Sequence, residues 1–374
     1  MCPDTFAGVP AVEIVVHIVA GLVGAWLVGS ILLSAVRTVA VPRGERLALT
    51  TFVFIAGRKI IRPFVDRSSE ERRERILQRY APIALICLAF IWAVLVCLGF
   101  MCIYWSFGGL NWLDAFLLSG SSLTTLGVFS TGDAEMAVGI LEAIIGLGLV
   151  GLLITFLPTI YGQYNRRELA VAQLSGRAGS PPSAERLIIR LSTIRGLEEV
   201  TDMWEEWERF FAELEESHQS YPSLMYFRSG SDRSWLTASG AVLDAASLVT
   251  AVVDVPRQPS AQLCIRSGFL ALRSLAEYLR LPVDHHPDPA DPISISREEF
   301  DQACDSLASA GVPLVADREE AWRAFAGWRV NYDSALIGLC GIVQPPVALW
   351  SSDRAVRYPQ PLLRTVWAVR MANR

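Results

Sequence analysis

Three apolar stretches, at approximately 11–36, 81–105 and 136–161, decide most of what this chain can fold into. Each is long enough to cross the ~30 Å of hydrocarbon in a bilayer, which takes roughly 20 helical residues. The first carries Glu13 only near its end, the second carries no charge, and the third carries Glu142 alone. Because backbone polar groups in hydrocarbon must be satisfied within the segment, all three are expected to be helices. Composition agrees: 52% hydrophobic and 19% charged residues, with a mean hydropathy of +0.35, fall outside the averages of soluble domains. The remainder of the 374 residues is enough for a separate soluble domain with its own core. A signal peptide fits the first stretch poorly, since Met1 to Pro10 lacks a basic region and no small-residue cleavage site precedes a secreted domain.

Several function classes drop out. The seven cysteines, Cys2, Cys87, Cys97, Cys102, Cys264, Cys304 and Cys340, are scattered and never spaced CxxC, so neither a disulfide framework nor a zinc site is expected. A net charge of −5 without a polybasic, aromatic-interleaved block argues against nucleic acid as a partner. No GxGxxG after a strand, P-loop, HExxH or GxSxG is present, so no enzyme chemistry, cofactor or nucleotide-binding regulatory domain is expected. Of the 33 basic residues only Lys59 is lysine, a bias that suggests a GC-rich bacterial genome.

Basic residues set the expected orientation, because Arg and Lys near span ends stay cytoplasmic. The 37–79 segment holds eleven: Arg37, Arg43, Arg46, Arg58, Lys59, Arg62, Arg67, Arg72, Arg73, Arg75 and Arg79. Residues 1–10 and 106–135 hold none. The N-terminus is therefore expected outside, with 37–80 inside as a basic cytoplasmic or interfacial segment. The third span ends in Asn165-Arg166-Arg167, which places 164–374 inside as well, in an inner membrane. Within the basic segment Leu47 to Ala56 is apolar but too short to span, and reads as an interfacial or buried helix.

The stretch between the second and third spans is unlike an ordinary loop. Asn111 to Thr124 has the pattern of a helix, with Asn111 as N-cap and Asp114 in the first turn, where a carboxylate suits the positive dipole end. It stops in a Thr/Gly/Ser-rich run. A short helix followed by non-helical backbone is tolerated at membrane depth only where protein buries it or it lines a water-filled path. This is the pattern of a re-entrant pore loop; the competing reading is an extracellular cap or packing hairpin.

Over roughly 81–163 the chain resembles the tetrameric potassium-channel superfamily, whose minimal unit is span, pore helix, filter, span. Trp112 with Ala115-Phe116 is similar to the aromatic start of a pore helix, Thr124-Thr125-Leu126-Gly127 to the Thr-Thr-Val-Gly that opens the filter, and Gly132-Asp133 to its closing Gly-Asp. The resemblance implies that backbone carbonyls and a threonine hydroxyl replace the water shell of a permeant monovalent cation, K⁺ foremost, with glycine permitting the turns that aim them. It also implies a homotetramer, since each chain brings one loop. The family continues Gly-Tyr-Gly-Asp, whereas here Val128-Phe129-Ser130-Thr131 precede Gly132, so Phe129 falls at the second filter glycine. The implied outer filter, Val128 to Asp133, is shorter, wider or differently built, and K⁺ over Na⁺ selectivity stays open. Asp114, Asp133 and Glu135 are the only formal charges from 106 to 135, which biases the mouth toward cations.

In the third span Gly146, Gly148 and Pro158 are candidate gating positions, against the plainer reading of close helix packing. Glu142, an ionisable residue inside the membrane, is a functional candidate facing the permeation path or the back of the filter; otherwise it reaches the interface.

A linker is expected at 164–182, ending in Gly176-Arg-Ala-Gly-Ser-Pro-Pro182, before an all-α cytoplasmic domain at 183–374. Leu197, Val200, Trp204, Trp207, Phe211 and Leu214 recur at helical spacing over about 197–218, as core packing or an intersubunit seam. The nine carboxylates from Glu198 to Glu216 read as a solvated face or a cation sensor. Further helices are expected at about 234–253, 260–280, 297–310 and 318–343, with Asp244 marking the first as buried and not membrane-spanning. Asp284, His285, His286, Asp288 and Asp291 lie in a Pro-rich run that reads as an exposed turn or a metal loop. No signature identifies a cytoplasmic ligand or partner protein. The expectation is thus an all-α membrane protein with three spans, a re-entrant pore helix and filter loop, and a cytoplasmic helical domain. Its expected function is that of a homotetrameric cation channel, K⁺ foremost, with a non-conducting sensor or scaffold as the rival.

Overall fold

A computed structural model describes residues 11–40, 48–128, 132–194, 196–197, 200–230 and 232–355. Among them the regular structure is helical, with one isolated antiparallel bridge between Val253 and Leu314. The chain divides into two compact units, residues 1–63 with 79–161 and residues 64–78 with 162–374.

The first unit is built on three helices long and apolar enough to cross a membrane: α1 (Ala11–Ala40), α3 (Glu70–Ser106) and α5 (Asp133–Ala178). They carry large apolar side chains outward, among them Val12, Leu22 and Trp26 on α1 and Phe90 on α3. A helix apolar on its outer face as well as its inner one suits lipid and not water. Glycines set the approach of α1 to α3: a Cβ on Gly24 would lie 2.4 Å from the Gly99 carbonyl oxygen, so the two backbones nearly touch. Around this crossing Val28, Ile31, Leu88, Trp92, Val96 and Phe100 form the core. Helix α2 (Ala48–Asp66) extends ten residues beyond the expected Leu47 to Ala56 stretch and continues through Pro63. Its Phe54 is buried edge-on against Tyr80, whose hydroxyl donates to the Phe54 carbonyl. Helix α4 (Trp112–Leu123) sits in the loop between α3 and α5, burying Ala115, Leu118, Ser119 and Ser121.

In the second unit α8 (Trp235–Ala251) is the central element, with every residue from Trp235 to Val249 buried. A helix apolar all round has to be wrapped by others. Here α6 (Ala184–Ile194), α9 (Pro259–Tyr278), α11 (Arg318–Arg329) and α12 (Asp333–Val343) surround it, while α7 (Thr201–Ser220) packs on α9. Helix α10 (Arg297–Ser309) starts with a capping box between Ser296 and Glu299. The seam on α7 is core: Leu197, Val200, Trp204, Trp207, Phe211 and Leu214 are all buried within the one chain.

Three boundaries differ from the sequence expectation. The stretch expected as a linker, 164–182, is helical to Ala178, because Val171, Leu174 and Ala178 are themselves core residues of the second unit. The single helix expected over 318–343 is two, since the Asn331 side-chain amide donates to the Gly327 and Trp328 carbonyls and so satisfies the end of α11. Helix α6 was not anticipated.

Buried charge in this unit is compensated. Arg329, wholly buried, donates to the carboxylates of Asp244 and Asp333 (2.5 and 2.8 Å) and to the Trp350 carbonyl (2.7 Å). Tyr332 also donates to Asp244, and Ser294 donates to Asp333 through both its amide and its hydroxyl. Burial pushes the Asp244 carboxyl up while the Arg329 guanidinium pulls it back. Asp244 therefore marks a buried helix, as its sequence position indicated.

Candidate functional site

Helix α4 begins where the sequence places it. Asn111 is extended, its side-chain oxygen accepts the Asp114 amide at 2.9 Å, and its amide donates to the Asp114 carboxylate at 2.8 Å. Trp112, the first helical residue, stacks on Trp105 with ring centroids 4.5 Å apart, and Trp105 stacks on His17 of α1 at 4.1 Å. The start of α4 is thereby tied to α3 and α1.

Its C-terminus closes as a Schellman turn. The Leu126 amide donates to the Ser121 carbonyl (2.9 Å) and the Thr125 amide to the Ser122 carbonyl (3.0 Å). This puts Thr125 in the left-handed region at φ 58°, a position normally given to glycine and disfavoured for a β-branched residue by about 1–2 kcal/mol. Gly127 follows at φ 64°, where the absence of a Cβ removes the strain. The Val128 amide then donates to the Ser121 hydroxyl at 3.0 Å, folding the segment back along the helix end. Leu126 and Val128 point outward, 69% and 71% exposed. The Thr124 hydroxyl is turned back onto its own helix, donating to the Gly120 carbonyl at 2.6 Å. Among the described residues of one chain, then, Thr124 to Val128 form a strained, outward-facing turn whose apolar side chains, Leu126 and Val128, stay exposed.

Phe129 lies outside the described residues. Gly132 precedes α5, and its carbonyl accepts the Met136 amide at 3.0 Å; Asp133 and Glu135 occupy the first turn, complementing the helix dipole. Glu142 is completely buried and joined to Tyr104 and Ser119. Gly146 is a packing residue, since a Cβ there would lie 2.3 Å from the Leu123 carbonyl oxygen at the end of α4. Gly148, by contrast, faces open space, and Pro158 is exposed inside an unbroken helix. The structure thus brings Glu142 and Gly146 together behind α4 and leaves Gly148 and Pro158 on the free face of α5.

Tyr104, Ser119 and Ser121 were not singled out from sequence. The signal was there: a glutamate inside an apolar span requires polar partners, and α4 carries serines at 119, 121 and 122 amid Phe and Leu.

In the second unit, residues 164–168 of α5 are held by the segment after α7. Arg167 donates to the carbonyls of Leu224 (3.0 Å) and Phe227 (2.7 Å), the Tyr164 hydroxyl to that of Arg228 (3.1 Å), and the Ser229 hydroxyl to Glu168 (3.0 Å). His218 is buried beside Arg167, and burial first, then the guanidinium, push it down to about 3. Its Nδ1 lies 2.8 Å from the Leu214 carbonyl, so the neutral ring donates there and accepts at Nε2.

The run from Asp284 to Asp291 folds into side-chain turns: Asp284 accepts the His286 amide, Asp291 the Asp288 amide and Asp288 the Ala290 amide, while His285 reaches Glu277 at 3.1 Å. Among the described residues no group of three or more His, Cys, Asp or Glu is placed to hold a metal. Comparison with protein-family models, curated proteins and solved structures finds no match to this chain.

Proposed function

We propose that the chain is a cation channel of the bacterial inner membrane, K⁺ its foremost permeant ion, assembled from four copies. The N-terminus lies outside, the second unit lies in the cytoplasm, and that unit regulates opening in response to a ligand or protein. The observation that carries this reading is the turn at Thr124 to Val128: a short capped helix between two apolar helices ends in a left-handed threonine and glycine, with Leu126 and Val128 exposed. Such backbone at membrane depth is stable only when protein covers it or it lines a water-filled path. Four copies around one axis supply both, bringing the four turns together so that their backbone carbonyls face the ion. The free face of α5, with Gly148, Gly151 and Ile154, would then line the path below. Because no charged side chain lies from Ala115 to Val128, coordination falls to backbone carbonyls, while Asp114, Asp133 and Glu135 attract cations to the mouth.

Flux of K⁺ and Na⁺ into proteoliposomes of the purified protein tests this. Gly127→Asp, at a position that faces open space within one copy, places a carboxylate and a strained backbone in the turn. The expected result is K⁺ flux abolished by the substitution with the tetramer retained. A folded tetramer whose flux is the same in wild type and variant would contradict it and favour the scaffold reading.

A further inference from the structure

Glu142 has a proton balance that the channel reading does not use. Its carboxyl is 0% exposed and has no ion-pair partner among the described residues. The Tyr104 hydroxyl of α3 donates to Oε2 at 2.9 Å. Ser119 Oγ of α4 lies 2.5 Å from Oε1 and, at the same time, 2.9 Å from the Cys97 carbonyl oxygen of α3. A serine hydroxyl has one proton to give. With Glu142 ionised, two oxygens would draw on that proton, one close oxygen pair would be left without a hydrogen between its members, and a carboxylate would be buried with no cation beside it. With Glu142 protonated, each proton has its own acceptor: Oε1–H donates to Ser119 Oγ, Ser119 donates to the Cys97 carbonyl, and Tyr104 donates to Oε2. A separation of 2.5 Å is at the short end for an O–H···O bond.

We propose that Glu142 is a neutral carboxylic acid whose proton goes to Ser119, pinning α4 to both flanking helices. It is a positioning residue for the turn that follows α4 and not a group lining the path. Gly146, one helical turn further on and against the Leu123 carbonyl, supports the same seam. Among the described residues the other titratable groups facing it are Tyr104 and Cys97 from α3, and α4 presents the hydroxyls of Ser119 and Ser122. The consequence for conduction rests on the channel reading, whereas the protonation does not.

Infrared difference spectra of the full-length protein in lipid at neutral pH, wild type minus Glu142→Gln, test the protonation. The predicted result is a carbonyl stretch of a protonated carboxyl, shifted by H/D exchange, and moved to higher frequency in Ser119→Ala, where its hydrogen bond is lost. A carboxylate stretch in place of that band would overturn the proposal, as would a band unmoved by Ser119→Ala. Because a glutamine amide reproduces both the donor and the acceptor, Glu142→Gln is expected to keep the wild-type K⁺ flux, and Glu142→Ala to lose it. Loss of flux in a folded Glu142→Gln tetramer would overturn the positioning role. The band observed in a wild-type protein that conducts nothing would uphold the protonation and count against the channel reading alone.

Discussion

At the scale of single residues, the buried titratable groups of the second unit set how it responds to pH. His218 is neutral because an imidazolium there would be both desolvated and adjacent to Arg167. Its pKa in the fold, about 3, lies below the ordinary 6.5, so the unfolded chain binds the proton more readily. Stability from this group is therefore fully present above the ordinary value and declines as pH falls from there toward the folded value, by at most about 1.4 kcal/mol per pH unit. Thermal unfolding of wild type and His218→Gln, followed by tryptophan fluorescence at about pH 7 and about pH 5, should show a steeper acid loss in wild type. Parallel pH dependences would contradict the assignment of His218 as a buried neutral ring. Little of this was readable in advance, since neither the burial of His218 nor the proximity of Arg167, 51 positions away, leaves a local mark in the sequence.

At the scale of elements, the most legible part of the chain was α4. Asn111, Asp114 and the apolar run to Leu123 gave both its ends, because capping and dipole preferences are local and written in adjacent residues. The turn after it was legible only as glycine-rich: that Thr125 and not a glycine takes the first left-handed position follows from the paired carbonyls of Ser121 and Ser122, which sequence does not display. Likewise 164–178 read as a linker because its core partners lie far along the chain, on α6, α7 and α8. The basic start of α3 shows the same dependence on distant contacts. Glu74 there receives both Nε and Nη2 of Arg228 (2.8 and 3.0 Å), and Arg228 also donates to the Val343 and Gln344 carbonyls at the end of α12. Both side chains are mostly buried, 11% and 14% exposed, so the pair is expected to be worth more than a surface ion pair. In a double-mutant cycle on unfolding, Glu74→Ala and Arg228→Ala should couple by about 1–3 kcal/mol. Arg228→Ala should be the more damaging single change, because it also removes the donors for two helix-end carbonyls. Additive effects would mean that the pair contributes nothing beyond its separate contacts.

At the scale of the whole molecule, three helices long and apolar enough to cross a bilayer stand apart in composition from a unit built around the buried α8. That division was legible from hydropathy alone, because the cost of unsatisfied backbone in hydrocarbon leaves few alternatives. Assembly around Thr124 to Val128 is proposed on the resemblance and on the exposure of Leu126 and Val128 in a single copy. The most direct measurement is therefore of current through this turn. In planar bilayers, the channel reading predicts that Val128→Cys, outward-facing and 71% exposed in one copy, carries a cation current that a membrane-impermeant thiol reagent applied from the outer side blocks. The wild-type protein, in which Cys97 is buried but Cys87 is exposed and Cys102 half-buried, is the control for these native thiols and should conduct without block. A current untouched by modification of Cys at 128 or carried by anions would contradict it, as would a folded tetramer that passes no current at all.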